Sequence, residues 1–525
     1  MATKTSTAIE QVLPSIPPSV ATTPAPSIHG SIAASDIPLV PIGRSRGNST
    51  ERNDGSDEER GNTTESETVS RVQSRRNSEV LASDLAPVDG GKQAWTFLAG
   101  CFVLEAVIFG YAYSSGAYQD YHLHDPRSPL YGQPAAAISA IGTLVIGTQC
   151  FVPILIRGFV RAFPHLIRKV TLICIGIGVC SLLICSFLTS VIPMLIFQSI
   201  YGFSTGIVFT PVILYLNQWW NARRGLATGI IFAGSGIGGV FFPITINAML
   251  NKIGFPWTIR IMALMTLIFS TGATLCLKPR LPVPTVGRHS LRSFDRSLLK
   301  ALLPGDLRPM LAPLAGLNEM AFFVQSCGWY TISLYISTYC TSLGFSSSTA
   351  TGILSAFNAA ATLGYLILGP LNDRFIYTKV MCASMLICSL SAFLLLGFSR
   401  SLPMVILFVL TFGVGGGGFT TFFSSVARDI AALSNQDSST IFLGLVFLRG
   451  TASVIGPLVG ASLYKDAGKE TNDFSVYGTR GFRGVVIYVG TTMLIGSILA
   501  IAATWQRKKD MGRAGDAVRE RWQSQ

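Results

Sequence analysis

Twelve apolar stretches follow one another along this chain, each about long enough to cross a hydrocarbon core of roughly 30 Å as a helix. They cover residues 95–118, 134–156, 170–189, 192–216, 226–250 and 257–277, then 311–341, 349–371, 380–398, 402–426, 438–464 and 484–505. The pattern predicts an all-α membrane protein with twelve transmembrane helices. A long basic connection at 278–310 divides the spans into an N-terminal six-helix bundle, 95–277, and a C-terminal one, 311–505. Two pseudo-repeated bundles of this kind enclose a central pathway between them. Residues 1–94 and 506–525 remain as terminal tails.

Composition agrees with a lipid solvent: 49% of the 525 residues are hydrophobic and only 13% are charged. The charges sit almost entirely between the spans. Connections on the side of the termini carry sixteen Lys and Arg, among them Arg157, Arg161, Arg223, Arg224 and Arg374, against seven on the opposite side. The positive-inside rule therefore places both termini in the cytoplasm. The formal net charge of +13 lines the cytoplasmic rim, where it meets membrane lipid. It forms no single soluble patch, which argues against a nucleic-acid partner.

The ten cysteines all fall inside apolar stretches, so they read as small packing residues and no disulfide framework is expected. All five histidines lie outside the twelve spans, which excludes a histidine proton relay within the membrane. No Cys/His spacing resembles a metal site. No nucleophile with a base, metal cluster or phosphate-binding glycine loop is present either, so no enzyme and no cofactor are expected.

Residues 1–94 are rich in Ser, Thr, Pro, Gly and mixed charge, the composition of a disordered cytoplasmic tail. With no signal-peptide core, the first span directs insertion. Arg75-Arg76-Asn77-Ser78 has the form that basophilic kinases favour, making Ser78 a candidate for a kinase. The sequons at Asn48 and Asn62 stay unused on the cytoplasmic side. Within the spans, glycines gather in the fifth (Gly229, Gly234, Gly236, Gly238, Gly239), the tenth (Gly413, Gly415 to Gly418) and the eleventh (Gly456, Gly460). Small residues let helices approach and slide, and their presence in both halves favours moving bundles over static packing.

Gly369-Pro370-Leu371-Asn372-Asp373-Arg374, after the eighth span, resembles the loop motif of the major facilitator superfamily. That resemblance implies that Asp373 and Arg374 latch a cytoplasmic gate. The counterpart after the second span, Arg157 to Arg161, lacks the aspartate. A closer resemblance is to fungal members of the monocarboxylate porter family within that superfamily. It rests on Asp89-Gly90-Gly91 with Trp95, and on Tyr215 to Gly239 with Trp220, Arg223-Arg224-Gly225-Leu226-Ala227 and Gly229. Gly254-Phe255-Pro256-Trp257 with Arg260, and Gln325 with Gly328 and Tyr335, fit as well. The resemblance implies a transporter and covers roughly residues 89–505.

Two departures bear on substrate. Porters of small monocarboxylates in that family commonly carry an arginine in the eighth span; here Asn358 and Gly364 match, but Tyr365 follows. The lysine of the first span in animal members also has no equivalent in Phe109 to Ser114. A lactate-sized acid has little apolar surface and depends on cationic donors, so lactate and pyruvate are disfavoured.

Charges at depth are few: Glu105, Glu319, Arg449 and, nearer the outer end, Arg260. Glu105 lies ten residues after Trp95 and Arg449 eleven into its span, hence about 15 Å along helices rising roughly 1.5 Å per residue. Ionisable groups at such depth are functional candidates or structural ion pairs. Arg449 is the candidate anchor for an anionic group of the substrate. Glu105 and Glu319 are the candidates for proton coupling, and Arg260 reads as structural. Around them Tyr113, Gln325, Trp329, Tyr330, Asn358 and Tyr365 recur at helical spacing and make a candidate substrate pocket, aromatic with few polar anchors.

These features predict a proton-linked secondary transporter working by alternating access, in the cell membrane or a vacuolar one. Its expected cargo is an amphipathic organic acid or secondary metabolite, with export preferred. Uptake of a monocarboxylate or vitamin-like acid is the alternative. A non-transporting receptor, signalling through the long tail, is the reading from another class.

Overall fold

The computed structural model of the chain describes residues 86–281, 308–434, 437–464, 477–478 and 481–523. The expected tail up to residue 85, with Ser78 and both sequons, and most of the central connection lie outside the described residues. The described secondary structure is helical, and ten helical segments are long and apolar enough to cross a membrane. Large apolar side chains cover the outer faces: Phe187 and Ile192 are each 74% exposed, which suits lipid rather than water.

The first segment consists of α1, Gly91–Tyr113, and α2, Ser115–His124, joined at Ser114. There the Ser114 hydroxyl donates to the Gly110 carbonyl at 2.8 Å, satisfying an acceptor at the break. Then come α3, Ala135–Ala162, α4, Ile167–Cys185, α5, Val191–Trp219, and α6, Arg224–Cys276. After the central connection follow α7, Pro313–Ser342, α8, Ser347–Arg374, and α9, Tyr377–Leu390, with a π-helical end Ser391–Leu396. Next, α10, Leu402–Gly417, passes through a 3₁₀ turn, Gly418–Thr421, into α11, Phe422–Ser434; α12, Ser438–Leu463, and α13, Arg483–Gln523, complete the order.

The sequence reading is corrected at three points. Residues 86–94, expected in the disordered tail, are folded. Asp89 and Gly91 take left-handed backbone angles, φ 60° and 85°, and the turn is held by Asp89 N–H donating to the Trp219 carbonyl at 2.9 Å. The fifth and sixth stretches, by contrast, keep their division: within α6 two helices meet at a kink at Gly254 (φ 75°, ψ 175°), a conformation that suits a residue without Cβ. His122, placed outside the spans by sequence, lies in α2 and is buried, its Nδ1 2.7 Å from Ser128 Oγ. Finally, α13 continues past residue 505 to Gln523 as a helix.

Packing within the N-terminal helices sets α1 on α6, α3 on α5 and α4 on both α5 and α6. The C-terminal helices set α7 on α12 and α13, α8 on α10 and α9 on α13; contacts between the two sets run chiefly through α6 with α8 and α3 with α12. The α1–α6 approach is close because Gly234 and Gly238 face backbone: a Cβ there would collide with the carbonyl oxygens of Phe102 and Ala106. The Phe102 and Ala106 carbonyls lie on either side of Glu105, whose own Cβ also faces Gly234, so this contact fixes that carboxyl's place in the fold.

Candidate functional site

One end of the helical body is closed by polar contacts between the two sets of helices. Asp373, in the last turn of α8, accepts from the amides of Gly225 and Leu226 through separate oxygens, each at 2.8 Å. Those amides open α6, and the first turn of a helix leaves N–H groups unsatisfied, so a carboxylate meets both free donors and the positive end of the helix dipole. Gly225 is required here, since a Cβ would press on the Gly369 carbonyl and on Asp373 itself. Arg374 is exposed and has no partner among the described residues.

The same connection is gripped from its other side. Asp89 accepts from the amides of Asn221, Ala222 and Arg223 at 2.8, 3.0 and 3.1 Å. Two further ties join the sets: Arg157 Nη2 donates to Asp437 at 3.4 Å, and Asn217 donates to the hydroxyls of Ser438 and Ser439 at 3.0 and 2.9 Å. Thus the loop that lacks an aspartate contributes an arginine instead, whose acidic partner precedes α12 and caps it through Ser439 N–H. Sequence reasoning missed Arg157, Asp437 and Asn217 as a group because their partners lie more than 200 residues away.

At the opposite end a cavity of about 790 Å³ opens between the two sets. Its walls come from α2, the starts of α3 and α8, the ends of α7 and α12 and Asn247 of α6. Hydroxyls such as Ser139, Thr143, Ser337 and Thr338 alternate with apolar side chains such as Leu334, Leu354 and Leu458. Asp120 is the one charged side chain among the described lining residues.

Between the cavity and the closed end lies a buried polar layer. Arg449 on α12 donates from Nε to the Tyr330 hydroxyl on α7 at 2.7 Å, and from Nη2 to the Tyr113 hydroxyl on α1 at 2.9 Å. Its guanidinium carbon also lies 5.5 Å from the Tyr330 ring centroid, a cation–π contact strengthened by desolvation. Arg449 is 6% exposed. Tyr365 on α8 is buried against Phe232 of α6, ring centroids 5.9 Å apart, within electrostatic reach of the arginine.

Glu105 is 1% exposed, and neither carboxyl oxygen has a hydrogen-bond partner among the described residues. Arg449 is within electrostatic reach of it. Eight residues separate Glu105 from Tyr113, about 12 Å along the helix, toward the closed end. A carboxyl buried without a hydrogen-bond partner is costly to keep as an ion.

Tyr113, Tyr330, Tyr365 and Arg449 are therefore brought together, with Glu105 within electrostatic reach of the arginine, whereas other sequence candidates lie elsewhere. Gln325 donates to the Gly416 carbonyl at 3.0 Å, tying α7 to α10. Trp329 stacks on Phe357 at 4.4 Å, with Phe412 beyond. Asn358 donates to the Gly239 carbonyl at 2.9 Å, tying α8 to α6. Glu319 is half-buried on α7, eleven residues before Tyr330 and hence about 16 Å away along the helix; its Oε1 is buried with no hydrogen-bond partner among the described residues. Arg260 donates to Ser186 Oγ at 3.0 Å and lies over the Phe187 and Trp257 rings. Gln149, fully buried on α3 with no partner for its amide among the described residues, was overlooked; an amide amid an apolar stretch was the available signal.

A cavity open at one end, polar contacts closing the other and a buried polar layer between them fit a family built from two sets of helices. The family model of the Major Facilitator Superfamily matches residues 95–352 and 319–522. The chain belongs to the major facilitator superfamily. It is similar to MFS-type transporter 1 of an Ophiocordyceps species, 27% identical over 448 residues, covering 82% of this chain and 91% of that protein. Aspyridones efflux protein apdF of Emericella nidulans is 25% identical over 417 residues, covering 79% and 78%. Agnestins efflux protein AgnL12 of Paecilomyces divaricatus is 25% identical over 416 residues, covering 77% and 86%. Among solved structures, the human organic anion transporter MFSD10 (TETRAN) shares the fold with a TM-score of 0.56 at 15% identity, over 78% of this chain and 100% of that one. This superfamily member is accordingly a multi-pass membrane transporter of a small molecule.

Proposed function

We propose that this major facilitator superfamily member is a proton-linked exporter of an amphipathic organic acid or secondary metabolite, working by alternating access. The observation that carries the reading is the Tyr113–Arg449–Tyr330 layer, which spans both sets of helices between a cavity and a latched end. Twelve spans in two six-helix bundles underlie it. Gly254 divides the 53-residue run into two membrane-length helices, and the 30-residue α7 adds one more despite its polar interior face. The basic rim favours a cytoplasmic position for the Asp373 end and both termini, so the cavity faces away from the cytoplasm in this state.

In that frame Asp373 is the cytoplasmic latch, with Arg374 exposed beside it, and Glu105 is the coupling carboxylate nearest the substrate layer. Arg449 takes an oxyanion of the cargo, and Tyr113, Tyr330 and Tyr365 form its aromatic surround. Gln325, Trp329 and Asn358 support that pocket by holding α7 and α8 in place. Glu319 is a second carboxylate for coupling at a separate level of α7. The residues resembling fungal monocarboxylate porters support membership of that branch. The relatives named as efflux proteins for aspyridones and agnestins support export over uptake.

Metabolite profiling of cells that lack or overproduce the protein tests the reading. An organic acid should build up inside deletion cells and in the medium of overproducing cells. A reciprocal pattern would instead establish uptake, and unchanged metabolites in both strains would remove the transport reading.

A further inference from the structure

We infer that the hydroxyls of Tyr113 and Tyr330 are internal competitors for Arg449, holding its donor sites until the single oxyanion of a monoanionic, elongated cargo displaces them. The inference rests on the reading of Arg449 as the substrate's anion site and names the class of substrate that site admits. Three observations lead to it.

First, the two tyrosines reach the guanidinium from different sets of helices, Tyr330 through Nε and Tyr113 through Nη2. Each supplies a neutral oxygen where a carboxylate or enolate oxygen would make a stronger, charge-assisted bond. An incoming oxyanion therefore has a thermodynamic reason to replace them, whereas an alcohol or amide would exchange one neutral acceptor for another. Second, the cavity begins about one helical turn beyond this layer on all three helices. Gly116 follows Tyr113 by three residues, Leu334 follows Tyr330 by four and Val454 follows Arg449 by five, a rise of roughly 4–8 Å. An acidic head at Arg449 thus leaves its body in the cavity. Third, the described cavity walls carry no lysine or arginine, and their one charged side chain is Asp120. A second negative charge on the cargo would be desolvated without a cation to meet it, so dianions are rejected and the body must be neutral, part apolar and part hydroxyl-compatible.

Displacement of Tyr113 also releases the bond between α1 and α12, so binding the head loosens a tie between the two sets of helices. A cargo without an oxyanion leaves that tie in place.

The test uses the full chain in lipid nanodiscs and three probes: biphenyl-4-carboxylate, biphenyl-4,4′-dicarboxylate and 4-(hydroxymethyl)biphenyl, with affinities measured calorimetrically. The monocarboxylate should bind at least about ten-fold more tightly than the other two, equivalent to about 1.4 kcal/mol. Tyr113→Phe and Tyr330→Phe should each tighten monocarboxylate binding by about ten-fold, because a hydrogen bond to a charged group no longer has to be given up. Equal or weaker binding by both Phe variants would overturn the inference, marking the hydroxyls as bystanders or co-ligands. Arg449→Gln should abolish the preference for the monocarboxylate; if that variant keeps it, the underlying reading of Arg449 fails instead. Dicarboxylate binding as tight as the monocarboxylate, or no monocarboxylate binding by the parent, would overturn the substrate class. Melting curves of each variant separate lost affinity from lost fold.

Discussion

Replacing Asp373 by asparagine removes the charge and one of the two acceptors that hold the start of α6. The carboxylate accepts two amides at 2.8 Å, and hydrogen bonds to charged groups contribute a net ~1.5–3 kcal/mol each. The favourable charge at a helix N-terminus adds ~0.3–1 kcal/mol. Asparagine keeps one carbonyl oxygen for one amide but turns an NH₂ group toward the other. With the site half-buried, the closed end should lose about 2 kcal/mol relative to its open state, which multiplies the open population about 30-fold. Hydrogen exchange of the peptide containing Asn221 to Ile230, followed by mass spectrometry in nanodiscs, reads this directly. The Gly225 and Leu226 amides should exchange about 30-fold faster in Asp373→Asn, by the same 2 kcal/mol conversion, and flux should slow with little change in substrate affinity. Unchanged exchange in that peptide, with the protein folded, would refute the latch.

Three further outcomes follow from the same geometry. Glu105→Gln should retain substrate exchange across the membrane while losing accumulation driven by a pH gradient; gradient-driven accumulation that persists in Glu105→Gln combined with Glu319→Gln would exclude carboxylate coupling. Gly238→Leu should lower stability by about 1–3 kcal/mol through overpacking against the Ala106 carbonyl, seen as a reduced melting temperature in detergent, and an unshifted melt would disprove the close α1–α6 contact. Asn358→Ala should cost only about 1 kcal/mol, the scale of an interhelical hydrogen bond in a membrane, and leave substrate selectivity as it was; altered selectivity would return Asn358 to the binding surface.

Much of this architecture was legible because lipid allows few solutions. A span must satisfy its own backbone, so apolar length alone locates helices to within a few residues. Depth likewise singled out Glu105 and Arg449. Partners were less legible, since they depend on rotation and crossing of helices far apart in sequence. On α7, Trp329 and Tyr330 are adjacent yet turned about 100° apart, as a helix of 3.6 residues per turn demands. One stacks on Phe357 and the other meets Arg449. The spacing of Gln325 and Trp329 was right for a shared stripe, but that stripe packs against α8 and α10. The Arg157–Asp437 pair joins positions 280 residues apart, and no local pattern signals it. At Gly254 the Gly-Phe-Pro sequence reads as an interruption; a positive φ turns the chain there, and the Thr258 hydroxyl donates to the Gly254 carbonyl at 2.7 Å.

The most direct measurement of the central claim is transport by the purified full chain in proteoliposomes across an imposed pH gradient. The vesicles are presented with an organic-acid extract of the native host, and their contents are read by mass spectrometry. One or a few amphipathic monoanionic acids should accumulate on the more acidic or more basic side in a gradient-dependent manner, and Arg449→Gln should abolish that accumulation. Accumulation that ignores both the gradient and Arg449, or no accumulation of any acid by correctly folded protein, would contradict a proton-linked carrier built around this arginine.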